Sequence, residues 1–364
     1  MPAFYNLSNK KNSFDIQIRI DGHLIDNWSN LIYSAKVNSA RAISFEAHGH
    51  IPQEILQLGA TVEISAGVGM IAKTKGLLHF KGVIKILGPS FDVVTVTALD
   101  YITHLSTSEI NNFTVEDSQG HDLYYLAANA ANYKDIDTSG LTAGSDIFVN
   151  LDTVKSNLTG LKTRKVFIDA CFDEMSLFQT SDEYPANTYL QYKYAIRSGT
   201  KLDFFLPDPF NVNAEPIFTF SERNNNLQKG IVGSIDTSRI INSCTLVSSI
   251  DETIFETYTD TSSVETYGVS SSLLKYESTR RDRLEQLAYQ IVELNKFPTI
   301  SYNLQINTLE PINLGDIVKV HIPSLERNDI LSVEEYYLVI NEGITATYTV
   351  GQKRLTTSKL LKVL

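Results

Sequence analysis

Among 364 residues the chain has one Trp, two Cys and three Met, and no apolar run long enough to span a membrane. The two thiols, Cys171 and Cys244, stand far apart and in no metal-ligand spacing. They support neither a disulfide framework nor a zinc site, and both are expected to be buried. Basic residues are also in deficit, with 31 Lys and Arg against 42 Asp and Glu and a formal net charge of −11. Tight binding of phosphate depends on Lys and Arg displacing counterions, so it is disfavoured. The N-terminal Met1-Pro2-Ala3-Phe4-Tyr5-Asn6 lacks the basic and apolar segments of a secretory signal. A protein made and folded in a cytoplasm is expected.

Catalytic patterns are missing as well. The sequence contains no His-Glu-x-x-His, no Gly-x-Ser-x-Gly, no paired Cys motif and no phosphate-cradling loop. Gly160-Leu161-Lys162-Thr163 lacks the upstream glycine and strand of such a loop, and Gly67-Val68-Gly69 reads as a loop between strands. His48-Gly49-His50 is the one close histidine pair, without a local third ligand. Asp203 and Asp208 could be imagined as a hydrolase pair, but Asp208 sits between two prolines and reads as a turn residue. No catalytic, cofactor-binding or metal-ligating residue is assigned, and no cofactor is expected.

What the chain does have is a repeated pattern. Leu58-Gly59, Val62-Glu63-Ile64, Phe80 to Ile86 and Val93 to Thr97 before Asp100 form the first copy. Leu314-Gly315, Ile317 to Val320 with Asp316 before it, Tyr337 to Ile340 and Thr347 to Val350 form a looser second copy in the same order. At this level Gly59 matches Gly315, Phe80 matches Tyr337, and Val96 matches Val350. Apolar residues alternate with polar ones in each, the period of a half-buried strand, and the glycines suit turns with positive φ. Duplication of a β module explains the match; the ordinary alternation of any antiparallel sheet is the other source of it. Superposition of the two segments decides between them.

The remaining chain sorts around these copies. Phe14, Ile16, Ile18 and Ile20 share one face of a strand, and Asp21-Gly22 supplies a two-residue hairpin turn. Leu31 to Val37 and Ala42 to Ala47 read as strands. Asp122 to Tyr133, with Ser118 as a possible cap, and about Lys165 to Leu177 read as helices, the latter with Val166, Ile168 or Asp169, Phe172 and Met175 on a ragged apolar face. Strand-like pieces follow at Thr188 to Ile196, Lys201 to Leu206, Ile217 to Phe220 and Ile240 to Val247. The Ser/Thr-rich stretch Thr257 to Ser272 is expected to be a loop or an edge hairpin. Thr279 with Asp282 resembles a capping box ahead of a helix bearing Leu284, Leu287, Ala288, Ile291 and Asn295, which stops at Phe297-Pro298. The expected fold is mainly β with an α+β insert: a first β-barrel domain over 1–106, a mixed α+β domain over 107–238, and a second β-barrel domain over 239–364 with a helix near 279–296.

The order of these parts resembles the baseplate hub proteins of tailed phages. The likeness is carried by Phe80-Lys81-Gly82-Val83-Ile84, by Val94-Thr95-Val96-Thr97-Ala98-Leu99-Asp100 with Leu105, and by Leu314-Gly315-Asp316-Ile317-Val318. It spans nearly the whole chain, through short motifs in a fixed order. The resemblance implies a non-enzymatic structural protein of the virion tail tip or baseplate. It implies a homotrimeric ring of six similar barrels joining a hexameric tail tube protein to a trimeric central spike or tip protein. Tape-measure and distal tail or baseplate proteins are further candidate partners, and DNA would pass through without being specifically held. The hub of a phage-derived contractile injection system shares this pattern. A receptor-binding or carbohydrate-binding tail protein, a cell-wall hydrolase and an unrelated multidomain β protein are the rival classes. The chain ends soon after the second copy, so no fused hydrolase domain is expected.

Overall fold

The computed structural model describes residues 14–49, 51–52, 54–68, 78–110, 123–141, 161–178, 192–205, 215–222, 227, 231–276, 278–341 and 343–351. Seven strands open the chain: β1 (Phe14–Ile20), β2 (His23–Leu24), β3 (Trp28–Lys36), β4 (Ala42–His48), β5 (Thr61–Val68), β6 (Leu78–Ser90) and β7 (Val93–Asp100). They form because their apolar residues alternate: Leu31, Tyr33 and Ala35 are buried on β3 while Ile32 and Ser34 are half-buried on the other face. The Asp21-Gly22 turn takes φ of 46° and 82°, the two positive values that suit a tight hairpin, and sets Ile20 opposite His23.

The insert follows. Helices α1 (Ile102–Thr107), α2 (Leu123–Ala131) and α3 (Arg164–Phe178) accompany the short strands β8 (Glu109–Ile110) and β9 (Lys162–Thr163) and the hairpin of β10 (Lys193–Ser198) and β11 (Lys201–Phe205). On α2 the residues Leu123, Leu126, Ala127 and Ala130 are buried at helical spacing. On α3 the buried face is Phe167, Ile168, Cys171 and Phe172, whereas Val166 is half-exposed, one position off the expected stripe. These elements share a core separate from the large sheet.

The C-terminal half contributes β12 (Phe218–Ser221), β13 (Val232–Asp236), β14 (Ser243–Ser248), β15 (Phe255–Thr259), α4 (Thr261–Tyr267), β16 (Ser271–Tyr276), α5 (Arg281–Asn295), β17 (Thr299–Ile306), β18 (Ile317–Ile322), β19 (Arg327–Ile340) and β20 (Ile344–Gly351). β14 lies between antiparallel β15 and parallel β16, and α5 packs Leu284, Leu287, Ala288, Ile291 and Val292 against this small sheet as a third core. The stretch expected as a loop, Thr257 to Ser272, thus ends one strand, forms a helix and starts another. Its helix is capped by Asp260, whose carboxylate accepts from the Ser263 N–H at 2.8 Å. The expected capping box at Thr279 is absent: Arg280 holds the N-cap position without a side-chain bond, and pairs with Asp282 instead.

The chain is mainly β, and its large sheet has thirteen strands. Neighbours run β13, β17, β20, β19, β3, β4, β7, β6, β5, β1 and β2, with β18 also on β19 and β12 parallel to β18. Two findings alter the domain picture. First, β12 and β13, which fall inside the 107–238 insert by sequence, pair with the C-terminal strands. Second, β19 pairs with β3 from Glu335 opposite Lys36 to Ile340 opposite Leu31, so both halves lie in one sheet. They also share one core, in which Tyr336 makes an edge contact with Tyr33 and stacks on Tyr348. Among the described residues no ladder joins β2 back to β3. The described strands of the two halves form one continuous, largely antiparallel sheet.

Candidate assembly surface

The matching is detailed. The neighbour order β5, β6, β7, β4, β3 repeats as β18, β19, β20, β17, β13. Gly59 and Gly315 have φ of 88° and 80°. The Gly59 N–H donates to the Ile84 carbonyl at 2.9 Å, and the Ile84 N–H donates back to the Ala60 carbonyl at 2.9 Å. In the second half the Gly315 N–H donates to the Val333 carbonyl at 2.8 Å, and the Val333 N–H to the Asp316 carbonyl at 3.0 Å. A register shift follows in each half, between Ile84 and Ile86 on β6 and between Val333 and Glu335 on β19. Glycine, exchange of bonds and bulge therefore recur together.

These features correct part of the sequence match. Gly59 and Gly315 do correspond, but Ile84 corresponds to Val333, which places Phe80 with Asp329, Tyr337 with Gly88 and Val96 with Tyr348. Phe80 is fully buried and Tyr337 is 44% exposed, as different positions require. The reason is the connection between the first two strands, 69–77 in one copy and 323–326 in the other, across which alternation carries no register.

The other singled-out residues hold the fold. Gly82 permits close strand approach, since a Cβ there would stand 2.3 Å from the Leu99 carbonyl oxygen. Gly315 is covered by the Phe205 ring, which a Cβ would meet at 2.1 Å. Asp316 accepts from the Asn313 N–H at 2.7 Å, and burial pushes its carboxyl up. Asp100 is fully buried and bonded by Arg41, a residue that no motif in the sequence marks. Arg41 donates from Nε to Asp100 Oδ2 at 2.7 Å and from its other nitrogens to the carbonyls of His79, at 3.1 Å, and Gly199, at 2.8 Å. It ties β4, β6 and β7 to the β10–β11 turn. Burial raises the Asp100 carboxyl, and the guanidinium pulls it back.

A second buried pair, Lys193 with Glu334, fastens β10 to the β19 bulge, where Ser332 Oγ also donates to Glu334 at 2.8 Å. Lysine beside an apolar strand in the sequence gave no sign of this partner, because only the fold brings residues so distant together. The insert is therefore anchored at both halves of the sheet.

Elsewhere the chemistry is structural. Cys171 and Cys244 are buried free thiols, and burial pushes Cys244 up to about 11. His48 Nε2 lies 2.6 Å from Ser29 Oγ, and His50 lies outside the described residues. Gly67 and Val68 continue β5 rather than forming a loop. Lys162 and Thr163 form β9, and Asp203 lies on β11. Ser118, Asp122, Gly69, Gly160 and Asp208 lie outside the described residues. No helix of the described residues is long and apolar enough to cross a membrane.

The face of the sheet turned away from the core is hydroxyl-rich. Its half-buried positions include Thr345, Thr347 and Thr349 on β20, Ser34 on β3, Ser44 on β4 and Thr97 on β7. Charge on these strands is sparse: Lys36 is paired to Glu335, and Glu46 accepts from Ser29 Oγ at 2.9 Å and Asn30 Nδ2 at 2.8 Å. Among the described residues two strand margins are unpaired, the outer side of β13 and the side of β6 beyond its bulge that faces away from β7, because β5 pairs only with residues 78–83.

No family model and no curated protein matches the chain. Solved structures do, along nearly its whole length. The 43 kDa tail protein of prophage MuSo2 from Shewanella oneidensis matches with a TM-score of 0.60 at 12% identity, over 93% of this chain and 98% of that one. The chain has the fold of phage tail proteins. The tail protein from Neisseria meningitidis MC58 matches at 0.59 and 10% identity, over 95% and 99% of the two chains. Prophage tail protein gp18 from Listeria monocytogenes EGD-e matches at 0.55 and 12%, over 96% and 97%.

Proposed function

We propose that the chain is a structural hub of a phage tail tip or baseplate, without enzymatic activity. Three copies form a ring of six half-sheets that meets a hexameric tail tube above and a trimeric spike or tip below. The carrying observation is the internal repeat: two halves with the same strand order, glycine turn and bulge, fused side by side in one sheet. Such a subunit offers six near-equivalent contacts from three chains, which adapts sixfold to threefold symmetry. The virion tail is then its location, and tube and spike or tip proteins are its partners. Tape-measure and distal tail or baseplate proteins would lie next to them.

The hydroxyl-rich face suits the bore. Its threonines and serines, with Lys36 neutralised by Glu335, offer DNA phosphates few cations to hold and so permit passage. A second reading, the hub of a contractile injection system, draws on the match to a chain of the Francisella PdpA–VgrG complex at a TM-score of 0.50 and 13% identity, over 97% of this chain and 55% of that one. Electron micrographs of purified protein alone and with its tail tube protein test the hub reading. Annular particles with six lobes around an open centre are expected; compact particles without a channel in both samples contradict it. A glycan array separates the hub from a sugar-binding tail protein, since the hub should retain no glycan.

A further inference from the structure

The internal repeat contains more than a likeness between halves. It contains a worked example of how one half docks beside the next. Beyond its bulge, β19 pairs antiparallel with β3, placing Glu335 opposite Lys36, Tyr337 opposite Ser34 and Val339 opposite Ile32. The ladders give each of these residues a counterpart. Ile86, Gly88 and Ser90 of β6 stand for Glu335, Tyr337 and Val339. Asp236, Ser234 and Val232 of β13 stand for Lys36, Ser34 and Ile32, because β13 pairs with β17 as β3 pairs with β4. Among the described residues of one chain, β13 has a ladder only with β17 and distal β6 only with β7, so neither counterpart has a paired strand on its outer side.

We infer that a second copy of this chain is the missing neighbour. Distal β6 of one copy pairs antiparallel with β13 of the next, in the register Ile86 to Asp236, Gly88 to Ser234 and Ser90 to Val232. This inference rests on the ring reading above and names the seam that would close it.

Several observations at the two margins fit. Exposed apolar side chains sit there, with Ile86 61%, Val232 66% and Ile235 48% exposed, whereas Ile32 and Val339 are half-buried and Ala35 is buried in the internal seam. An open strand margin carrying apolar groups is a template for another chain. Pro89 has no N–H to give, so the seam has one ladder bond fewer at that position. At Gly233 the Tyr302 ring occupies the place of a side chain, where a Cβ would stand 2.2 Å away. That glycine therefore leaves no gap in the sheet.

Cysteine cross-linking in the full chain tests the seam. Gly88→Cys with Ser234→Cys puts one thiol on each margin; a Cβ at Gly88 meets nothing closer than Thr95 at 3.6 Å, and the native thiols are buried. Under oxidation the monomer should convert to reducible covalent multimers that stop at the copy number of the ring. Gly88→Cys with Val232→Cys, two residues out of register, should stay monomeric, since pairs with Cα atoms beyond about 7 Å do not bridge. Ile86→Cys with Asp236→Cys provides an in-register pair should Gly88→Cys fail to fold, as judged by circular dichroism. A trimeric mass without cross-linking of either in-register pair overturns the seam and leaves the ring standing. Monomeric mass without cross-linking, both alone and with the tail tube protein, overturns both. Equal linking of the out-of-register pair overturns the register.

Discussion

Arg41 and Asp100 form an ion pair in which the two side chains are 1% and 0% exposed. The pair lies under the first half of the sheet, with the guanidinium 5.4 Å from the centre of the Phe80 ring and a second arm on the insert. Removing one partner leaves a charge in a site that cannot solvate it. Arg41→Met should therefore cost about 3–5 kcal/mol in urea unfolding. Adding Asp100→Leu to it should recover part of that loss, because no orphaned charge remains. Equal stability of the single variant and the natural chain would show that the pair contributes nothing.

Two glycines separate two reasons for being glycine. At Gly82 the obstacle is contact with the Leu99 backbone, so Gly82→Ala should force the β6–β7 strands apart and lower the thermal midpoint strongly. At Gly59 space is open but φ is 88°, so Gly59→Ala should cost about 1–2 kcal/mol from backbone strain alone. Calorimetry of the two variants should rank Gly82→Ala as the worse.

Alkaline pH should unfold the chain through its tyrosines. Tyr302 is pushed up to about 12, first by burial and then by the 2.5 Å bond from its hydroxyl to Asp329. Burial also raises Tyr33, Tyr336 and Tyr348 in the core shared by the two halves. An unfolded phenol ionises near 10, so the stabilisation is complete below pH 10 and is lost as pH rises toward 12. Absorbance at 295 nm and circular dichroism should change together across that window. Ionisation completed near pH 10 with the fold intact would contradict this.

Much of this architecture was legible in the chain because local rules governed it. The Asp21-Gly22 hairpin, the α2 and α5 faces and the two glycine turns follow from periodicity and backbone preference. The register of the repeat was not legible, since alternation with period two looks the same after a slip of two residues and so matches Phe80 to Tyr337, where the ladders match it to Asp329. Arg41 was not legible either: an isolated arginine looks like any surface cation until the fold buries it against Asp100. The seam of β3 with β19 joins residues from opposite ends of the chain, and nothing local encodes it.

The assembly itself is the most direct point of contact with experiment. Native mass spectrometry or light scattering on the purified chain, over a range of concentrations and with its tail tube protein, should give a species of three times 40.7 kDa. A chain that stays at 40.7 kDa throughout contradicts the trimeric hub.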